Sequence, residues 1–111
     1  MNITSHEQDD VMIVTLDGRV DSEGAIDLDL ALQTALLEGH YKLILDMANV
    51  RYLNSAGLRT LADVLTQSRD HDGDLKLVSL NPKVERVFQI IGFDKFFNIY
   101  SDLDSAISAF S

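Results

Sequence analysis

Ser55 is the side chain best placed for chemistry, because the sequence puts it where a buried segment gives way to a helix. The apolar run Leu43 to Leu45 is typical of a strand covered on both faces, and the stretch that follows, up to Asn54, predicts a loop. The Ser55 hydroxyl would then lie among the unpaired amides of the first helical turn. A helix end of this kind favours an anion, which suits a phosphate acceptor. A plain helix cap by Asn54 or Ser55 explains the same residues.

The motifs of most enzyme classes are absent from the chain. It has no G-x-x-x-x-G-K-S/T phosphate loop, no G-x-G-x-x-G and no G-x-S-x-G. His6, His40 and His71 fall in expected turns or element ends and not at metal-ligand spacing. The acidic stretch 70–74 around His71 has the composition of a solvated turn. We therefore expect no enzyme activity, no cofactor and no metal.

The charge, the cysteine content and the apolar runs of the chain exclude several further classes of function. The 111 residues carry nine Lys and Arg against 18 Asp and Glu, a net charge of -9, which disfavours binding to nucleic acid or anionic lipid. The absence of cysteine excludes disulfides and thiolate chemistry. No apolar run approaches the roughly 18 residues of a membrane span, and residues 1–7 lack the features of a signal peptide. We expect one cytoplasmic domain, residues 1–111, without membrane insertion.

Strand and helix patterns alternate along the chain, and they must position Ser55. Strands are predicted over residues 2–7, 11–16, 41–47, 75–80 and 97–100. Helices are predicted to begin at Asp21 or Ser22, near Ser55, at Asn81-Pro82 and at Ser101. The alternation predicts an α/β fold with a largely parallel sheet, which an amino-terminal hairpin turning at 8–10 makes mixed.

Each predicted helix has an apolar face that should meet the sheet. Because these residues recur three and four positions apart, they lie on one side of each helix. The expected core positions are Ala25, Leu28, Leu32 and Leu36; Leu58, Leu61, Ala62 and Leu65; Val84, Val87, Phe88 and Ile91; and Leu103, Ala106, Ile107 and Phe110.

The segment from Leu45 to Leu58 resembles the signature of the STAS domain, the fold of bacterial anti-sigma factor antagonists, also called anti-anti-sigma factors. It has a strand ending in Asp46, a loop containing Val50, and then Asn54-Ser55-Ala56-Gly57-Leu58. The resemblance extends to Gly18-Arg19-Val20-Asp21-Ser22, Leu77-Val78, Asn81-Pro82-Lys83-Val84 and Ile91-Gly92-Phe93, and so covers essentially the whole chain. It implies a single STAS-like domain with a mixed sheet of about four to five strands and about four flanking helices.

The resemblance also implies a regulatory role. In the family, the serine that matches Ser55 is phosphorylated by a partner kinase that is itself the anti-sigma factor. The unmodified antagonist binds that kinase, and a metal-dependent serine phosphatase reverses the modification. The chain departs from the family at Asn54, where aspartate is common. The partner surface expected on this basis comprises Asp21, Ser22, Asn54, Ser55, Ala56, Gly57 and Arg59.

Three residues carry more detailed expectations. Gly57 is expected in an exposed first turn, where alanine would not harm folding but would hinder a partner. Arg59, four residues after Ser55, is expected to reach back towards a phosphate. Leu58 is expected to point into the core.

Two other functions fit the same resemblance. Some STAS-like proteins are cytoplasmic regulatory subunits of lipid transporters, although these often lack the serine that matches Ser55. Nucleotide binding or hydrolysis is the other alternative, and it is disfavoured because the chain has neither a phosphate-cradling glycine loop nor a general base.

Overall fold

One five-stranded sheet organises the molecule, and its strands lie side by side in the order of the sequence. The computed structural model describes all 111 residues. The strands are β1 (Asn2–Gln8), β2 (Val11–Val20), β3 (Lys42–Leu53), β4 (Asp74–Val78) and β5 (Ile99–Tyr100). The helices are α1 (Ser22–Leu37), α2 (Ser55–Asp70), α3 (Pro82–Ile91) and α4 (Leu103–Ser108), with a 3₁₀ turn at Phe93–Lys95. The α/β class, the mixed sheet and the four helices are confirmed.

The direction of the strands brings three helix starts to one edge of the sheet. β1 and β2 form the expected antiparallel hairpin, and β2, β3, β4 and β5 run parallel. α1 connects β2 to β3, α2 connects β3 to β4, and α3 lies between β4 and β5. Because parallel strands end at the same edge, α1, α2 and α3 all begin there.

The two faces of the sheet are covered unequally. A cluster of 21 buried residues joins α1, α2 and α3 to one face, and it includes Leu28, Leu61 and Phe88 at 0% exposure. The other face carries a cluster of five buried residues, which includes Ala106 of α4 and Ile44 of β3. In β2, in β4 and in β3 up to Met47, alternate residues supply the two clusters, as the pleat requires.

β2 and β3 are longer than the sequence pattern predicts. The stretch 48–53 is strand and not loop, and it pairs with the far end of β2 through two register shifts. Past Met47 the buried residues of β3 come every third position, at Val50 and Leu53. Bulges of this kind break the period of two by which a strand is recognised. β4 ends at Val78 and not at Leu80, because Ser79 has a positive φ of 62° that interrupts the strand.

The predicted helix faces are confirmed for α1 and only partly for the others. In α2, Val64 and Ser68 are buried, whereas Leu58 and Ala62 are half-buried. In α3, Val87 is 38% and Ile91 45% exposed, so their assignment to the core is wrong. α3 buries only Val84 and Phe88, and the Phe88 ring makes edge-on contacts with Phe93 and Phe97 in the segment that follows the helix. In α4 only Ala106 is fully buried, and Leu103, Ile107 and Phe110 are half-buried.

Candidate functional site

The first turns of α1 and α2 lie side by side at the carboxyl edge of the sheet. Val20, the last residue of β2, is the register partner of Leu53, the last residue of β3. The amide of Asn54 donates a hydrogen bond of 2.9 Å to the carbonyl of Val20, which ties the start of α2 to the end of β2. The expected partner-surface residues 21–22 and 54–56 therefore come together in space, although 31 positions separate the two segments in the sequence.

Asn54 is the cap of α2, and Ser55 is the first helical residue. The Asn54 side-chain oxygen accepts a 2.8 Å hydrogen bond from the Gly57 amide, and its carbonyl accepts a 3.0 Å bond from the Leu58 amide. Asp21 caps α1 in the same way, with a 2.9 Å bond from the Gly24 amide. The Ser55 hydroxyl is therefore not used to cap the helix.

The Ser55 side chain is exposed and makes no hydrogen bond within the protein. Ala56, Arg59, Asp21 and Ser22 are exposed beside it, and Asn54 is half-buried. The Ser55 hydroxyl is therefore accessible from solvent without any rearrangement of the fold.

Gly57 is buried, so the expectation of an exposed position there is wrong. A Cβ at this residue would lie 2.6 Å from Cγ1 of Val20 and 2.7 Å from Cδ1 of Leu53. Both of those side chains belong to the main core. Glycine is required because α2 starts close against the ends of β2 and β3, and the residue offers a partner no side chain.

A groove of about 510 Å³ runs between α1 and α2 next to both turns. Ser22 and Ala56 lie at the end nearest the sheet edge, and Ile26 and Arg59 form part of its walls. No carboxylate lies within 4.0 Å of the Arg59 guanidinium, since the three ion pairs of the protein involve other residues. Arg59 is therefore free to bind an anion supplied by a phosphate at Ser55 or by a partner.

Arg19 and Tyr52 extend this surface, and sequence reasoning missed both. They are register partners on β2 and β3, and the Arg19 guanidinium lies 4.6 Å from the centre of the Tyr52 ring. Tyr52 is 42% exposed. Only the shifted register of the two long strands brings the pair together, so the sequence gives no sign that the two side chains meet.

The acidic stretch around His71 forms no metal centre. The His71 ring stacks on Tyr41 with centroids 4.1 Å apart, and its Nδ1 lies 3.0 Å from the Gln67 carbonyl. Asp74 instead binds Arg69 at 3.0 Å and Lys76 at 2.9 Å. No group of three His, Cys, Asp or Glu side chains in the protein is arranged to hold a metal ion.

Asp74 is the one buried carboxylate of the protein, and it forms ion pairs with Arg69 and Lys76. Burial by itself raises the pKa of Asp74. Hydrogen bonds from Lys76 and Asn98 and the charges of Lys76 and Arg69 outweigh that effect and hold the pKa below its ordinary value of 3.8. The cluster fixes the start of β4 and takes no part in the surface around Ser55.

None of the helices is both long and apolar enough to cross a bilayer.

Comparison with known proteins matches nearly the whole chain. A model of the STAS domain matches residues 2–106. A protein of Bordetella bronchiseptica named "Putative anti-sigma factor antagonist BtrV" is 34% identical over 99% of this chain and 95% of its own length. The anti-sigma-B factor antagonist of Staphylococcus epidermidis is 27% identical over 83% of this chain and 85% of its own.

A solved structure has the same architecture. The crystal structure of an anti-sigma factor antagonist from Mycobacterium paratuberculosis superimposes with a TM-score of 0.88 at 28% identity. The match covers 97% of this chain and 92% of that one. The sheet order and the helix placement are therefore shared over the full domain.

Proposed function

Because the chain belongs to the STAS domain family, we propose that it is an anti-sigma factor antagonist whose binding is switched by phosphorylation of Ser55. Relatives that are named anti-sigma factor antagonists match the chain over most of their length, which supports the antagonist part of the proposal. The observation that carries the proposal is the Ser55 hydroxyl, exposed, unbonded and set in the first turn of a helix that Asn54 already caps. A small binding module of this kind needs no cofactor and catalyses no reaction.

The unphosphorylated turn is the binding-competent form. Its partner is an anti-sigma factor that is also a serine kinase, and it contacts the surface formed by Asp21, Ser22, Asn54, Ala56 and Arg59. A metal-dependent serine phosphatase removes the phosphate and restores binding. All of these partners act in the cytoplasm, where we place the protein.

Phosphorylation is expected to change the surface and leave the core intact. A phosphoserine adds about −1.5 to −2 charges and three acceptor oxygens. At the start of a helix such a charge is favourable by about 0.3–1 kcal/mol, and Arg59 lies one turn along to bind it. The core residues of α2, such as Leu61 and Val64, lie on the opposite side and need not move. A partner that places an acidic or apolar group against Ser55 is repelled.

Radiolabelling with ATP and the purified anti-sigma factor kinase from the same cell tests the proposal. The parent protein should be labelled and Ser55→Ala should not. Ser22→Ala is the matched control, because Ser22 is also an exposed first residue of a helix, the neighbouring α1, and it should be labelled like the parent. Labelling of Ser55→Ala to the parent's stoichiometry would overturn the proposal. Co-purification with a transporter ATPase, without labelling, would favour a transporter subunit.

Binding gives a second measurement. We expect Ser55→Asp to lose at least about 100-fold in affinity for the kinase in calorimetry, a change of about 2.7 kcal/mol. Ser108→Asp is the control and should retain the affinity, because Ser108 is exposed on α4, which packs on the opposite face of the sheet. Equal affinities of parent and Ser55→Asp would show that charge at Ser55 does not govern binding.

A further inference from the structure

The outer face of α1 is apolar and has no partner in the protein. Ile26 is 69%, Leu30 68% and Leu37 88% exposed. These positions are spaced by four and seven residues, so they share one side of the 16-residue helix. We call this set the α1 stripe. It is separate from Ala25, Leu28, Leu32 and Leu36, which face the core.

The charged side chains that α1 itself places around the α1 stripe are all acidic. The segment 21–40 contains five carboxylates and no Lys or Arg. None of the five takes part in an ion pair, since the three pairs of the protein lie elsewhere. An apolar line with unpaired carboxylates on its flanks is complementary to an apolar line flanked by Lys and Arg.

Grooves on both sides connect the α1 stripe with the rest of the surface. Ile26 lines the groove that α1 shares with Ala56 and Arg59 of α2. Leu30 lines a second groove of about 530 Å³ between α1 and the β1–β2 hairpin, where Ile3 and Met12 form part of the wall. The stripe thus adjoins the Ser55 surface at Ile26.

We propose that the α1 stripe docks an amphipathic helix of the partner protein, with apolar residues on Ile26 and Leu30 and Lys or Arg against the carboxylates of α1. This inference rests on the proposed function and adds a second half to the same interface. A second copy of this chain is a poor occupant, because two acidic α1 surfaces would repel each other.

The interface then has two ends of opposite charge. The stripe end requires a basic partner, whereas the Ser55 end presents Arg59 without a carboxylate partner and takes an acidic partner group. A phosphate on Ser55 satisfies Arg59 from within the chain and repels that acidic group. The α1 stripe supplies affinity, and the Ser55 end supplies the switch.

Calorimetry with the purified kinase that labels Ser55 tests the α1 stripe. The variant Ile26→Ser/Leu30→Ser should bind at least about 30-fold more weakly, since buried apolar anchors dominate interface energetics. Ile90→Ser is the matched control, because Ile90 is 71% exposed on a different helix, α3, and it should change affinity less than about threefold. Circular dichroism of each variant confirms that it is folded.

Charge and position give two further measurements. Asp27→Lys should weaken binding, and the affinity of the parent should fall as salt rises. A photo-crosslinking residue at Leu30 should label a helix of the kinase with an apolar face flanked by Lys or Arg, and one at Ile90 should not. Crosslinking from Leu30 to an acidic segment, or to no segment of the kinase, would overturn the inference.

The outcomes separate the two proposals. Unchanged affinity of Ile26→Ser/Leu30→Ser, together with loss of binding in Ser55→Asp, would overturn the α1 stripe and leave the Ser55 switch standing. Failure of the parent to bind the kinase would overturn both. A dimer of this chain in sedimentation that Ile26→Ser/Leu30→Ser dissolves would assign the stripe to a second copy instead.

Discussion

The first turns of α1 and α2 have the same backbone design and differ in charge. Val20-Asp21-Ser22-Glu23-Gly24 and Leu53-Asn54-Ser55-Ala56-Gly57 each place a capping side chain after a strand, a serine at the first helical position and a buried glycine two residues later. The cap bonds are 2.9 Å and 2.8 Å long. Geometry by itself therefore does not distinguish the two serines.

Charge does distinguish them. Ser22 lies between Asp21 and Glu23, whereas Ser55 lies between two neutral residues and one turn before Arg59. The first turn of α2 contains no acidic residue. A phosphate on Ser55 meets a helix end and an arginine, and a phosphate on Ser22 meets two carboxylates. Asn54, which departs from the family's usual aspartate, strengthens this contrast.

The largest loss of stability is expected from removing the buried charge of Asp74. Changes in the first turns of α1 and α2 should each cost less. Asp74→Ala leaves Lys76 buried, at 7% exposure, without its partner. Breaking a buried pair in this way costs about 3–5 kcal/mol. Urea denaturation at neutral pH measures the loss. Asp74→Ala/Lys76→Met is the control and should recover part of the lost stability. If Asp74→Ala lost less stability than Gly24→Ala or Gly57→Ala, the Asp74–Lys76 pair would not be the most costly one to break.

The same carboxylate predicts a dependence on pH. The pKa of Asp74 in the folded protein lies below its ordinary value of 3.8, so the carboxylate stabilises the fold above that pH. Its contribution is lost as the pH falls below 3.8 towards the lowered pKa. The difference in unfolding free energy between the parent and Asp74→Ala should therefore be constant near neutrality and shrink in acid. A difference that grows in acid would contradict the sign of the shift.

Gly24→Ala and Gly57→Ala should both destabilise the fold, to different extents. A Cβ at Gly24 would collide with the Arg19 backbone carbonyl, whereas one at Gly57 meets only side-chain carbons of Val20 and Leu53. Because side chains adjust more readily than backbone, we expect Gly57→Ala to cost about 1–3 kcal/mol and Gly24→Ala to cost more. Urea denaturation of both variants orders them. Gly39→Ser is a solvent-side control, because a Cβ at Gly39 has no neighbour within 4 Å and only its positive φ of 86° opposes it.

The helix caps Asp21 and Asn54 should contribute equally to the free energy of unfolding. Asn54→Ala and Asp21→Ala each remove the acceptor of one glycine amide, at a cost of about 1 kcal/mol. Asn54→Asp keeps the acceptor and should stay close to the parent. Thermal denaturation measures all three, and a much larger loss at one turn would show that the two turns are not equivalent in structure.

The smallest effect is the stability change caused by a mimic of the phosphate. We expect Ser55→Asp to gain about 0.3–1 kcal/mol from the helix end, and Ser22→Asp to gain less because Asp21 and Glu23 repel it. Salt should reduce the difference between the two variants. A large drop in melting temperature for Ser55→Asp would mean that phosphorylation acts through the fold and not through the surface.

Much of the fold could be predicted from local patterns. The helix starts follow from Asp21, Asn54 and Asn81, because a cap depends on residues within one turn of itself. The apolar face of α1 follows from a period of 3.6, and the β1–β2 hairpin follows from the apolar run 11–16 and the turn residues 8–10. The α/β fold class and the mixed sheet then follow from the alternation of the predicted strands and helices.

Features that depend on contacts between elements could not be predicted in this way. The bulges that extend β2 and β3, the exposure of Val87 on α3 and the burial of Gly57 all depend on how close neighbouring elements lie. The sequence Gly57-Leu58 gives no indication that a Cβ on Gly57 would lie 2.6 Å from Cγ1 of Val20. For the same reason the Arg19–Tyr52 pair was missed.

The sequence by itself determined that Ser55 begins a helix, since the cap, the strand before it and the helix after it are all local features. It also determined that α1 is acidic, because charge is a property of composition. Only the tertiary structure decided that Ser55 and Ser22 are neighbours, that Gly57 is a packing residue and that the α1 stripe runs on from the Ser55 turn. Those three facts follow from the pairing of β2 with β3, which joins residues more than 30 positions apart in the chain.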